Sequence, residues 1–95
     1  MTYRTRTRSE IMSQILRIAS GVGATKTKIV YKAFLNYVQV KEHLTILTES
    51  DLLKYDADTQ IFKTTKKGLR FLQIYNQLDD MIKTSQRPPP QQQQI

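Results

Sequence analysis

Between Thr65 and the proline run that begins at Pro88, the apolar side chains fall into two stripes on what reads as a single helix. One small core cannot satisfy both. Leu69 and Leu72 lie together near the start, where they are placed to close a local core. Phe71, Ile74, Tyr75, Leu78, Met81 and Ile82 follow at alternating three- and four-residue steps, the spacing of a coiled-coil seam. At 95 residues the chain has room for one module and too little core to cover that seam. A second copy of the helix is the expected cover, because six such residues left bare would form a large sticky patch. Antiparallel pairing is favoured: Asp79 and Asp80 near one end then approach Lys66, Lys67 and Arg70 near the other. The exposed charges contribute only about 0 to 1 kcal/mol per pair, so the seam drives association and the charges set its direction.

Composition limits the chemistry. With no Cys, disulfides, thiolate zinc sites and thiol nucleophiles are excluded together. His43 is the only histidine, and no glycine loop of the phosphate-cradling kind is present. The expectation is a non-enzyme with no cofactor, no metal and no small-molecule substrate. Fifteen Lys and Arg against eight Asp and Glu leave a net charge of +7, a field that attracts polyanions. No apolar run approaches a membrane span, and the basic first residues are not followed by an apolar stretch, so a cytoplasmic protein without a membrane partner is expected.

The rest of the chain divides by periodicity. Residues 1–8 hold Arg4, Arg6 and Arg8 alternating with threonines and no acid, a basic flexible arm. In the segment from Ser9 to Ser20, Ile11, Ile15 and Ile18, continued by Val22, make a helical stripe, with Ser9 as cap and Gly21 and Gly23 as stop. Thr25 can cap a short basic helix with Ile29, Val30 and Ala33 inward. Its Lys26 and Lys28 sit in the first turn, where the helix dipole disfavours cations. Asn36 can cap a third helix with Val40, Leu44 and Leu47 inward. Its opposite face carries Val38, Gln39, Lys41, Glu42, Thr45 and Glu49. Tyr37 and His43 border the inward stripe and are expected to pack. The stretches LLKYD and IFKTT, separated by ADTQ, read as a β-hairpin whose register is open, because ADTQ lacks the Asn-Gly or Asp-Gly that would set the turn. The domain limits are then 9–67 for the module, 68–84 for the dimerisation helix and 85–95 for a disordered Pro/Gln tail.

Helix, helix, turn, helix and hairpin is the order of a winged helix-turn-helix, a mainly α fold with a small β-hairpin. The stretches ATKTKIVYKAFLNYVQVKEHL and KTTKKGLRFL resemble the small archaeal winged-helix regulators, a family that includes ten-kilodalton crenarchaeal chromatin proteins. The resemblance runs from about Ser9 to Ile82. It departs at Ser50-Asp51, where that family has an asparagine-glycine turn, and in the PPPQQQQ tail. The resemblance implies a homodimer that binds double-stranded DNA, pairing through its last helix in an antiparallel coiled coil. A transcription regulator and a nucleoid-associated chromatin protein both fit; an adaptor that uses the same helix and wing to hold another protein is the alternative from a different class. The residues expected at DNA are Lys26, Lys28, Lys32, Lys63, Lys66 and Lys67 on phosphates, and Val38, Gln39, Lys41, Glu42 and Thr45 at bases or the adjoining backbone. Arg4, Arg6 and Arg8 are expected in a groove or along the phosphates.

Overall fold

The computed structural model describes residues 6–86, and its first helix, α1 (Arg8–Ile18), begins one step before the expected cap. Thr7, not Ser9, is the N-cap. Thr7 Oγ1 accepts from the Glu10 amide at 3.1 Å while Glu10 Oε1 accepts from the Thr7 amide at 2.7 Å, a reciprocal capping box. Ser9 has Met12 three residues on and cannot form one. The chain leaves α1 through Ala19 and a glycine-rich turn, so Val22 is 84 % exposed and does not join the stripe of α1.

The elements that follow are β1 (Ala24–Thr25), α2 (Lys26–Ala33), α3 (Tyr37–Glu49), β2 (Leu53–Asp56), β3 (Ile61–Thr64) and α4 (Lys66–Gln86). The hairpin is joined by a third strand, giving an antiparallel sheet in the order β1-β3-β2. Two residues before a helix cap carry no strand periodicity, which is why β1 is invisible in the sequence. Ala24 pairs with Phe62 and Thr25 with Ile61. Gly23 makes this pairing possible. Its φ of +91° is left-handed, and a Cβ there would meet the Ile61 side chain and the Phe62 carbonyl oxygen at 2.8 Å.

Thr25 and Asn36 cap α2 and α3 as expected, accepting from the amides of Lys28 at 3.2 Å and Gln39 at 2.8 Å. At the end of α3 the Ser50-Asp51 pair does the work of an asparagine-glycine turn. Asp51 takes φ +67°, a conformation that Asp tolerates better than most residues. The Leu52 amide donates to the Leu47 carbonyl at 2.9 Å and the Asp51 amide to the Thr48 carbonyl at 3.0 Å, the two bonds of a Schellman motif. In the wing, Gln60 at φ +59° closes the four-residue loop, its backbone amide donating a hydrogen bond to the Asp56 carbonyl at 2.7 Å.

Ile15 and Leu16 of α1, Ile29 of α2, and Val40 and Leu47 of α3 are fully buried, joined by Leu53 of β2 and Phe62 of β3. Each buries a side chain that contributes about 1.5 to 3 kcal/mol. Thr64 locks the sheet to α1: its amide donates to the Ala19 carbonyl at 3.1 Å and its hydroxyl to the Leu16 carbonyl at 2.6 Å. Thr65 caps α4, accepting from the Gly68 amide at 3.0 Å. Gly68 lies so close to the Leu52 carbonyl and Thr64 Cγ2 that no side chain fits, and this contact sets the rotation of α4. Leu72, one turn on, is therefore buried, whereas Leu69 points away and is 47 % exposed. The expectation that Leu69 helps to close the core is corrected accordingly. Arg17 Nη2 donates to Asn76 Oδ1 at 2.8 Å, a tie between α1 and α4.

On both sides of that tie the apolar stripe of α4 is largely uncovered. Ile74 is 51 %, Leu78 52 % and Met81 65 % exposed. Phe71 is half-buried and packs partly against the core, and Tyr75 stacks on it with ring centroids 6.4 Å apart. The side chain of Ile82 lies outside the described residues.

Candidate nucleic-acid interface

The exposed face of α3 is built by its inward one. Burying Val40, Leu44 and Leu47 turns Val38, Gln39, Lys41, Glu42, Thr45 and Glu49 to solvent, as helical spacing requires. Gln39 has a second task, because its Oε1 accepts from the Asn36 amide at 3.4 Å. The contact is long, and both amide protons of its side chain remain available. Thr45 donates its hydroxyl proton to the Lys41 carbonyl at 3.0 Å. His43 is half-buried, with Nδ1 2.8 Å from the Gln39 carbonyl oxygen, so Nδ1 carries the proton.

Tyr37 is not a core residue: it is 54 % exposed at the start of α3. Its hydroxyl accepts from Lys26 Nζ at 3.0 Å, a contact that ties the first turn of α2 to the first turn of α3. That hydrogen bond, and then the Lys26 charge, lower the Tyr37 pKa from its ordinary 10.0; desolvation opposes them, and Lys41 adds a lesser push downward. A phenol whose folded pKa is lowered adds stability above its unfolded pKa and loses it as the pH falls through the folded one. In its contact with Lys26 the Tyr37 oxygen is the acceptor, and the hydroxyl proton is left for another partner. In Lys26→Met the Tyr37 ionisation should return upward to its ordinary range, followed by the Cζ chemical shift. An unchanged titration would show that the contact does not persist in solution.

Lys28 and Lys32 are exposed on α2, Lys63 on β3, and Lys66 at the first turn of α4. Lys67 Nζ donates to the Ser50 carbonyl at 2.9 Å, capping α3 from behind. Arg8 is exposed at the start of α1, and Arg4 lies outside the described residues. Arg6 is engaged elsewhere. Its guanidinium donates to the Ala33 carbonyl at 2.8 Å, the Phe34 carbonyl at 3.2 Å and Gln14 Oε1 at 2.6 Å, capping the C-terminus of α2. The basic arm thus begins to be fixed at Arg6, because the end of α2 offers carbonyls that a flexible cation satisfies.

Two features were missed in the sequence. Lys54 pairs directly with Lys63 across β2 and β3, so that two exposed lysines stand opposite each other on one face of the wing. The alternation of LKYD and IFKT would have put them on one face, but the open register hid the pairing. Phe34, 86 % exposed, holds φ +55° in the turn between α2 and α3, a conformation that a bulky residue rarely adopts. No sequence signal marks it.

Helix α3 framed by the N-terminus of α2 and a two-stranded wing defines a winged helix-turn-helix module, and no residue cluster with metal-ligating composition occurs among the described residues. Residues 5–83 match the winged helix-turn-helix family, and the chain belongs to it. Among solved structures the fold is similar to Sso10a-2, a DNA-binding protein from Sulfolobus solfataricus, at 24 % identity and a TM-score of 0.64, over 88 % of this chain and all of that one (100 %). It is also similar to MosR, a transcriptional regulator of M. tuberculosis, at 14 % identity and a TM-score of 0.58, over 90 % of this chain and 67 % of that one. No curated protein sequence matches the chain. Among the described residues no helix is long and apolar enough to cross a membrane.

Proposed function

We propose that the protein binds double-stranded DNA as a homodimer, with the exposed face of α3 in the major groove and the wing and the start of α2 on flanking phosphates. The observation that carries this reading is a set of cations in positions that local stability disfavours. Lys54 and Lys63 face each other across the wing, and Lys26 and Lys28 occupy a first turn that contains no acid. A polyanion offsets both costs at once. Gln39 and Lys41 are proposed to read base edges, with Val38, Glu42 and Thr45 beside them. Lys26, Lys28, Lys32, Lys63, Lys66 and Lys67 neutralise phosphates, and Lys54 joins them. Arg8 extends the contact, with Arg4 ahead of it, while Arg6 supports the site by holding the end of α2.

Dimerisation is proposed through Phe71, Ile74, Tyr75, Leu78, Met81 and Ile82 in an antiparallel coiled coil, which holds two α3 helices at a fixed separation. The relationship to small archaeal winged-helix proteins supports both a transcription regulator and a chromatin-type architectural protein at the nucleoid. The two roles differ in their specificity ratio. A salt series on a preferred and a random duplex tests the reading. Seven lysine contacts per protomer, fourteen in the dimer, predict a slope of about −13 for log affinity of the dimer against log salt, at roughly −0.9 per contact. A flat salt response, or no duplex binding at low salt, overturns it.

A further inference from the structure

A groove of about 340 Å³ opens between α3 and the wing, within the size range of small-ligand sites. Its floor is apolar: Leu44 is 3 % exposed and Phe62 9 %, and the half-exposed Tyr55 ring lies 4.6 Å from that of Phe62, tilted by 40°. This forms an aromatic shelf with one side open.

The polar groups around the shelf are one-sided. Thr45 and Thr48 have committed their hydroxyl protons to the carbonyls of Lys41 and Leu44, so they present methyls and lone pairs to the groove. The cationic donors in the lining are Lys41, which is exposed, and Lys26, which has two protons left after its bond to Tyr37. The polar end of an occupant must therefore accept hydrogen bonds and favour negative charge. Glu49 lines the groove about 12 Å along α3 from Lys41, and repels a second anionic group at that end.

We propose that this groove binds a small planar aromatic monocarboxylate, its ring on the shelf of Leu44, Phe62 and Tyr55 and its carboxylate between Lys41 and Lys26. Because Lys41 and Thr45 belong to both the groove and the exposed face of α3, the ligand competes with DNA. The competition rests on the DNA reading; the ligand site does not.

The test is an NMR titration of the full chain with 2-naphthoate in the absence of DNA. Saturating shifts are expected at the Leu44 methyls and the Phe62 and Tyr55 rings, with a Kd of about 1 mM, ordinary for a ligand of this size. The neutral 2-naphthamide should bind about tenfold more weakly, and so should 2-naphthoate to Lys41→Gln, the loss of one charge-assisted hydrogen bond. Lys41 is exposed, so that variant should keep its fold, which the unperturbed core methyls will confirm. Equal affinity for the amide, the same shifts with inorganic phosphate, or shifts confined to Ile74 and Leu78 of α4 each overturn the site. A second arm measures duplex affinity with and without 5 mM 2-naphthoate. A several-fold loss supports competition, and an unchanged affinity in a protein whose groove resonances do respond overturns it. A protein that binds 2-naphthoate but no duplex refutes the DNA reading and leaves the groove standing.

Discussion

Replacing Leu78 with Asp is expected to leave the protein monomeric at about 100 µM and to weaken duplex binding by roughly a hundredfold or more, since linked half-sites gain that much from effective concentration. Leu78 is 52 % exposed and sits beyond the tie between Arg17 and Asn76, so the winged module should keep its far-UV circular dichroism. Placing a carboxylate in the apolar seam of both copies combines desolvation with the loss of packing. The slope of log affinity against log salt should also fall by about half, because one module engages one half-site. Sedimentation decides the matter. An unaltered protein that is monomeric at that concentration, or an Asp variant that stays dimeric, means that Ile74, Leu78 and Met81 are not the interface.

Gly23→Ala is expected to destabilise the fold by about 3 kcal/mol, combining roughly 1 to 2 kcal/mol for a left-handed residue with roughly 1 to 3 kcal/mol for overpacking. The new methyl would press on the Ile61 side chain and on the Phe62 carbonyl oxygen, which is backbone and cannot swing aside. In a domain of this size such a loss lowers Tm by more than about 10 °C. Duplex binding should weaken with it, because β1 holds β3 beside α2. Gly21, also at positive φ but with nothing within 4 Å, provides the comparison. Gly21→Ala should cost only the backbone strain, about 1 kcal/mol. Equal losses in the two variants would mean that the β1-β3 pairing is not packed as described.

Periodicity alone located all four helices and both strands of the wing, because each has a stripe or an alternation that water enforces locally. Two of the expected caps on the module's own helices, Thr25 and Asn36, hold their helices, since a cap depends on residues within one turn. The exposed face of α3 followed in the same way from its buried one. Ser9 failed as a cap for a local reason that was readable in principle: Thr7 has an acid three residues on and Ser9 does not.

What the residues determined by themselves was the order of the four helices and the two wing strands, the inward stripes, the excess of cations and the second apolar face of α4. All of these arise from contacts within a turn or two, or from composition. The tertiary structure decided the rest. Gly68 against the Leu52 carbonyl set which face of α4 turns inward, burying Leu72 and releasing Leu69. Strand register paired Lys54 with Lys63, and Lys26 drew Tyr37 out of the core. Arg6 left the basic arm for the carbonyls of Ala33 and Phe34, 27 and 28 residues away. Each of these outcomes depends on where one backbone approaches another, and a sequence pattern with a period of two or 3.6 residues carries no information about that distance.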